Sequence, residues 1–547
     1  MRLHFDVLHE PCIQVERLSG ETDILGIADV LRQAHLLRTI RGDTPVEEYA
    51  LHRLLIAFIS DLYRPRSARD IGALVKQGCF QPKDVDAYEA ACRAEGVTFD
   101  LFDESRPFLQ TPGLAGPVVE AGRLFLQIPS GNNHVFMTHL DRIRRSFSPM
   151  ECLAGLATLA PYAIMLGRST HYSAVGVPPV YFLYAGGNLF ETLAVSMVHA
   201  RAYPDESLYA QPPVSWRDPM PVPAGGPPPG VSYLSGLTAQ PRRVRLLPQM
   251  EDGRIVVREM AFDKGYDYKQ AVYQDPHALY VQKEDELRSL KSQESRAVWR
   301  DVGAMTAPQN RLALRGNLKD KLPEEPAVVP LRAYALVSRQ KGATRAPIAW
   351  WREELPLRAS LLSDDRPAQV YDECLKDLET IARMLMNVMQ KTTGQLQGKK
   401  IQAGKTKGGY GCFSQEVGAL FLEESRRFAL EELPGKLENA EDALAVRRDT
   451  VFNMAKRAVC ILDSFMDRFP PSSERLEWQA RACGALSAMT YKYRKDKELL
   501  QEVKPDGDDT EEKAGDKGAD HGVSRPRAEA DEGRTHSAQA RARQGGR

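Results

Sequence analysis

No two of the eight cysteines, Cys12, Cys79, Cys92, Cys152, Cys374, Cys412, Cys460 and Cys483, form a C-x-x-C pair. A thiolate-rich zinc site is therefore not indicated; reduced, mostly buried thiols are expected, with no metal or other cofactor required. Net charge is also missing. Lys plus Arg and Asp plus Glu number 73 each, so a polyanion would have to meet local patches and not a global field. No run of eighteen uncharged apolar residues occurs, and the first residues, M-R-L-H-F-D-V-L-H-E-P, do not have signal-peptide form, so no membrane span is expected and the reading is cytoplasmic. Gly408-Gly409-Tyr410-Gly411 lacks the lysine and serine of a phosphate loop, and no G-x-S-x-G elbow precedes a helix. A phosphate-loop nucleotide site and a serine hydrolase are both unsupported.

What is present suits a soluble globular protein: 43% hydrophobic and 27% charged residues over 547 positions, enough to bury a large core in two or more domains. Glu10-Pro11-Cys12-Ile13-Gln14-Val15 reads as a short edge strand. Ile27, Val30, Leu31 and Ala34 then share one helical face, and Gly42-Asp43 ends that segment. Thr44-Pro45-Val46-Glu47 is a helix start with proline at the first helical position, continuing through Leu51, Leu54, Leu55, Phe58 and Leu62. Ser148-Pro149-Met150-Glu151 is a second such start, and the glycine-framed stretch from Gly167 through Gly176 lets a backbone approach a partner closely. Residues 211 to 230, rich in proline, read as an extended connector. Short strands are expected between Arg242 and Tyr280, with Glu251-Asp252-Gly253-Arg254 as a hairpin turn and Lys264 at a glycine turn flanked by aromatics. Arg332 to Val337 reads as another strand, with a turn from Ser338 to Ala343.

The stretch Ile128 to Asp141, I-P-S-G-N-N-H-V-F-M-T-H-L-D, is a loop by its Pro, Gly, Ser and Asn, yet it ends in the apolar trio Val135, Phe136 and Met137. Paired amides beside an apolar anchor suit recognition. His134, His139 and Asp141 could instead serve a metal-dependent nuclease, but histidines at i and i+5 in a Pro/Gly loop do not match the helical i, i+4 pair of a metalloprotease.

Beyond Pro367 the pattern is helical throughout, with four amphipathic segments that make a bundle. The loop Gly398 to Gly411 crowds Lys399, Lys400, Lys405 and Lys407 together; flexible lysines of this kind neutralise phosphates without reading sequence, although a solvated surface connection has the same composition. From about Glu502 the composition is that of a charged, disordered tail. The expected fold class is α+β: a large mixed α/β domain over 1–365, a four-helix bundle over 366–496 and a tail over 497–547.

Several motifs carry a resemblance in their order: Glu10-Pro11-x-Ile13-x-Val15, Ala34-His35 with Arg38 and Gly42-Asp43-x-Pro45, Phe99-Asp100-Leu101-Phe102 with Arg106-Pro107-Phe108-x-Gln110, and Pro129-Ser130-Gly131-Asn132-Asn133. Leu237-Thr238-x-Gln240-x-Arg242, Trp299-Arg300-Asp301 and the closing bundle complete the set. Together they resemble the CasA family, the large subunit of the type I-E CRISPR Cascade surveillance complex. The resemblance implies a non-catalytic subunit that reads the short PAM in duplex DNA, helps open the duplex for R-loop formation and recruits a helicase-nuclease in trans, for antiviral defence. Its implied partners are the guide RNA, the other Cascade subunits and double-stranded target DNA.

Placed by position, Ser130, Asn132, Asn133 and Phe136 look like the loop that docks at the guide RNA and neighbouring subunits. Lys264, Gly167 and Gly176 look like the PAM-contacting positions, and Gln340, Lys341, Gly342 and Ala343 like the wedge. Some members of that family carry two C-x-x-C pairs ahead of the PAM-reading segment, whereas Pro248 to Gly253 has none here and a hairpin would stand in for the metal. The competing classes are the nuclease on His134, His139 and Asp141, and a scaffold subunit without DNA contact.

Overall fold

The computed structural model describes residues 3–128, 145–164, 173–220, 230–271, 273–294, 296–307, 309–320, 328–341, 344–363, 365–396 and 411–500. Near the N-terminus β1 (Ile13–Arg17), β2 (Thr22–Leu25) and β3 (Leu37–Ile40) form an antiparallel sheet in the order β2-β1-β3. β1 is thus the central strand and not the edge strand its sequence suggested. The strand that covers its second side was hidden where the helical reading ran on to Gly42. The helix in fact stops at Gln33, a short 3-10 turn follows, and Leu37–Ile40 goes extended with Leu37 and Ile40 buried.

The helix Pro45–Tyr63 is the axis of the first core. The Thr44 hydroxyl accepts the Glu47 N–H at 3.2 Å and Pro45 sets the first turn, as the sequence indicated. Its sequence showed one apolar face, yet every residue from Val46 to Asp61 is buried. Most of the polar members are satisfied internally, as burial demands, although His52 Nε2 has no hydrogen-bond partner among the described residues. Glu48 accepts from Tyr334 Oη at 2.7 Å and Arg352 Nη1 at 2.9 Å, and Asp61 accepts from Tyr88 Oη at 2.8 Å and Arg217 Nε at 2.6 Å. Arg53 donates Nε to Leu237 O and Nη2 to Gly236 O, both at 2.9 Å, and its Nη2 lies 2.7 Å from Asp275 as an ion pair. The side chains of Arg53 and Asp275 are 1% and 0% exposed.

The described part of the proline-rich connector, up to Met220, is not simply extended: Val214 and Trp216 are buried, and the Trp216 ring stacks on Phe58 at 4.4 Å. β4 (Val118–Glu120) pairs with one of two long strands, β6 (Arg242–Glu251) and β7 (Arg254–Lys264), in the order β4-β7-β6. Their turn carries positive φ at Asp252 (47°) and Gly253 (75°), the conformation that a two-residue hairpin requires. The strands run longer than the short ones expected. The start at Ser148 closes as a capping box, with Glu151 returning its carboxylate to the Ser148 N–H at 2.7 Å.

β5 (Tyr181–Tyr184), the small hairpin β8 (Tyr280–Lys283) and β9 (Glu286–Ser289), and the long hairpin β10 (Val328–Lys341) and β11 (Thr344–Arg358) complete the strands. The order β11-β10-β5 makes a sheet that is buried on both faces. Tyr181, Leu183, Tyr334 and Leu336 face the core around the Pro45–Tyr63 helix, whereas Phe182, Tyr184, Leu331, Ala333 and Ala335 face a second core. That second core continues into the four helices Asp365–Leu396, Gly411–Arg427, Ala443–Met466 and Ser473–Asp496. A π turn at Phe428–Glu432 and a short helix, Leu433–Glu438, follow the second of them. The architecture is the expected one of mixed helices and strands followed by a bundle.

Because Arg53 and Asp275 are both sealed from solvent, Arg53→Met leaves a buried carboxylate without its countercharge. We expect a loss of about 3–5 kcal/mol, read as a lower thermal midpoint by circular dichroism, with the double variant Arg53→Met/Asp275→Asn losing less than the single one. Equal midpoints for Arg53→Met and the unaltered chain would contradict this.

Candidate nucleic-acid interface

Lys264 closes β7 opposite Arg242 of β6, and its carbonyl accepts Arg243 Nη1 at 2.8 Å while its N–H donates to Asp263 Oδ1 at 2.7 Å. The backbone is pinned on both sides of Lys264, and the exposed side chain leaves a rigid strand end. The glycine after it has a structural task of its own. A Cβ on Gly265 would lie 2.6 Å from the Pro241 carbonyl carbon, so its small size serves the hairpin's packing and not an external approach.

Gly176 is the opposite case. It sits at φ +64° in a turn where Ser173 Oγ donates to the Gly176 carbonyl at 2.9 Å, and an added Cβ would meet nothing within 4 Å. The glycine is required by conformation, and the turn it makes is thin and open.

The segment around the expected wedge differs from its sequence reading. Ser338 to Lys341 belongs to β10, with Gln340 opposite Arg345 and Lys341 opposite Thr344, so the chain reverses later and more tightly than a turn from Ser338 would. A register shift between Val337 and Ser338 marks where the strand leaves the core. Four residues at about 3.3 Å each then carry the hairpin about 13 Å outward. Gln340 is exposed, and its side-chain carbonyl accepts from Arg345 Nη2 at 3.3 Å.

These three segments meet on residues that sequence reasoning did not single out. Lys291 Nζ donates to the Val177 carbonyl, and Pro179 bridges Lys291. Arg339 of the long hairpin pairs with Glu294, three residues on. Ala174 of the thin turn packs in a small cluster with Tyr266 and Tyr268, just after Lys264. Nothing in the local sequence around Lys291 marks it, because its bond to Val177 spans 114 positions of the chain.

Ser130, Asn132, Asn133, Phe136, His134, His139, Asp141, Gly167, Gly342, Ala343, Lys399, Lys400, Lys405 and Lys407 lie outside the described residues, as does the tail from position 501. Among the described residues no group of three His, Cys, Asp or Glu could hold a metal ion, and no helix is long and apolar enough to cross a membrane. Cys12, Cys92, Cys152 and Cys374 are buried thiols, and burial pushes Cys12 up to about 12.

The fold is shared with solved structures of one class of protein, the Cse1 or CasA chains. The crystal structure of CasA from Thermus thermophilus superposes with a TM-score of 0.69 at 22% identity, covering 90% of this chain and 100% of that one. Cse1 from Acidimicrobium ferrooxidans gives 0.69 at 19%, covering 91% and 99%, and a chain of a structure titled CRISPR RNA-guided surveillance complex gives 0.70 at 19%, covering 88% and 99%. In sequence, the CRISPR-associated protein CasA/Cse1 of Thermus thermophilus is 27% identical over 412 residues, 72% of this chain and 79% of that protein. The family described as CRISPR-associated protein Cse1 matches residues 6–458, and the chain belongs to that family, that of the large subunit of Cascade.

Burial lowers Lys291 to about 8, partly opposed by the nearby Asp275 carboxylate and reinforced by the Arg345 charge. Between about 8 and the ordinary lysine value of 10.5 the unfolded chain therefore holds more protons at this position than the folded one. Stability rises with pH across that window, and below it the full cost of burying the ammonium is present. We expect Lys291→Met to abolish this rise, read as the difference in thermal midpoint between the two chains from about pH 7.5 to 10.5. Parallel curves for the two chains would contradict the burial of a charged Lys291.

Proposed function

We propose that this chain is the non-catalytic subunit that reads a short PAM in duplex DNA, starts opening the duplex and recruits a helicase-nuclease in trans. The observation that carries the reading is the convergence of a thin turn at Gly176, a pinned strand end at Lys264 and a long rigid hairpin ending beyond Gln340, the first two joined through Ala174, Tyr266 and Tyr268 and the turn and hairpin through Lys291 and Glu294. The minor groove is narrow and chemically degenerate, so a reader there needs a slim cation on a rigid support. Lys264 supplies it. Opening the first base pair costs a few kcal/mol, and a stiff two-stranded tip with an amide at Gln340 can offset part of that at an unpaired base edge. Guide RNA pairing reads the remaining sequence, which suits a chain whose charges balance overall.

In this reading the loop with Ser130, Asn132, Asn133 and Phe136 docks onto guide RNA and the other subunits, and the loop with Lys399, Lys400, Lys405 and Lys407 holds phosphates without reading sequence. Gly167 belongs with Gly176 on the PAM side, and Lys341, Gly342 and Ala343 with Gln340 in the wedge.

In the assembled complex, Lys264→Ala is expected to narrow the affinity gap between PAM and non-PAM duplexes by about tenfold. Gln340→Ala is expected to slow R-loop opening on a correct PAM, and to lose that defect on a target already melted beside it. Gel shift measures the first, and the signal of a base analogue beside the PAM measures the second. Unchanged behaviour of both variants on every duplex would refute the assignment.

A further inference from the structure

Residues 290–294 run from the thin turn to the long hairpin and are fastened at both ends. At the first end the Leu290 carbonyl accepts the Val180 N–H at 2.9 Å, the Leu290 N–H donates to the Leu279 carbonyl at 2.7 Å, and Lys291 bridges Pro179. Lys291 Nζ adds a bond to the carbonyl of Val177, the residue after Gly176. The chain leaving the turn is thus held by backbone and side chain together. At the second end the Glu294 carboxylate pairs with Arg339 of β10.

The hairpin is organised around the same place. Arg345, opposite Gln340 in the register, donates Nη1 to the Ser338 carbonyl at 3.3 Å and to Ser338 Oγ at 3.2 Å, and Nη2 to the Gln340 side-chain carbonyl at 3.3 Å. Its charge reaches Lys291 and opposes that ammonium, whereas Asp275 favours it. Arg339 and Gln340 lie past the register shift, with exposed side chains. A two-stranded ribbon in water is marginal without a packed face, so an anchor at Arg339 stiffens the tip one residue before Gln340.

The link has little slack. Three residue steps from Lys291 to Glu294 span at most about 11 Å. Two positions beyond Glu294, Arg296 is held by Asp301 at 2.7 Å and by Glu379 of the helix Asp365–Leu396 at 2.9 Å, so the segment cannot slide past its contact with the hairpin. A displacement of the turn is therefore passed to Arg339, and one of the hairpin is passed back.

We propose that residues 290–294 are a tie that fixes the spacing between the Gly176 turn and the tip carrying Gln340, with Lys291 and Glu294 as positioning residues for strand opening. A tip that recoils leaves the first base pair closed, so binding at the turn drives unpairing only when both are held in one frame. The role in opening rests on the function proposed above; the mechanical coupling of turn and tip does not.

Two measurements test this. The first is hydrogen exchange of the full-length chain without nucleic acid, followed in peptides covering 173–180 and 334–341. Glu294→Gln is expected to raise exchange about threefold at the turn, where the Gly176 N–H donates to the Ser173 carbonyl at 3.0 Å, and Lys291→Met to raise it similarly in the hairpin. The second is the signal of a base analogue beside the PAM in the assembled complex. Glu294→Gln is expected to slow opening about threefold, with Kd unchanged for a PAM duplex that lacks guide complementarity. The charge swap Glu294→Arg/Arg339→Glu is expected to restore the rate. Lys291→Met is expected to slow opening about tenfold and Lys291→Arg to preserve it. If Lys291→Met does not fold, the Glu294 variants carry both measurements.

Unchanged exchange at the turn in Glu294→Gln would overturn the tie. A swap that restores nothing would do the same, and equal losses of duplex affinity and opening rate in Glu294→Gln would make it a DNA contact and not a positioning residue. If Lys264→Ala and Gln340→Ala leave every duplex unaffected while the exchange responses appear, the reading of the interface falls and the mechanical coupling stands.

Discussion

The sheet β11-β10-β5 is a wall with a core on each face, and most of the molecule is arranged by that constraint. Strand side chains alternate across the wall. On the face toward the Pro45–Tyr63 helix, Tyr334 and Arg352 hold Glu48, and on the other face Leu331, Ala333 and Ala335 meet residues that continue into the bundle. A one-residue slip of β10 would exchange its two sets of side chains, placing Arg332 and Tyr334 among the apolar side chains of the second core. The hairpin is therefore fixed in register at its root, and its stiffness at the tip follows from pairing that begins at Val328 with Arg358 and runs to Lys341 with Thr344.

The helix opposite the wall shows how polar groups can be buried around such a constraint. Its arginine is neutralised by Asp275 and bonded to the Leu237 and Gly236 carbonyls, so distant segments are fastened to one guanidinium. His277 lies beside it, hydrogen-bonded to Tyr49 at 3.0 Å and to the Ser196 carbonyl at 3.0 Å, and burial holds it down near 4. His52 is lowered to about 4 by the same cause. Both imidazoles are neutral in the folded chain near neutral pH, which spares the core two further charges. The same Asp275 is close enough to oppose the deprotonation of Lys291, linking the buried centre to the convergence of loops at the surface.

The two glycines at the candidate interface illustrate why a residue type alone does not disclose its task. Gly176 and Gly265 look alike in sequence, each beside a region suited to close approach. In the fold, one is needed for a positive φ in open space and the other because Pro241 occupies the volume of a side chain. The cations divide in a similar way. Arg296 and Arg300 are spent on Glu379, whereas Lys283 and Arg383 have no carboxylate partner among the described residues.

Local patterns were enough to determine several elements of this protein: the helix starts at Thr44 and Ser148, the hairpin turn at Asp252-Gly253 and the four bundle helices. Each rests on interactions between residues a few positions apart, which a sequence displays directly. The strand Tyr181–Tyr184 was not legible, because a strand buried on both faces has no alternation to show. The central place of β1 depended on β3, whose four residues follow a helix without a breaking signal. The convergence of Gly176, Lys264 and the hairpin tip was decided only by tertiary structure, since Ala174 joins the turn to Tyr266 and Tyr268 after Lys264, and Lys291 and Glu294 join the turn to the hairpin. The contacts of Lys291 and Glu294 join positions 114 and 45 residues apart, where no periodicity or spacing can record them.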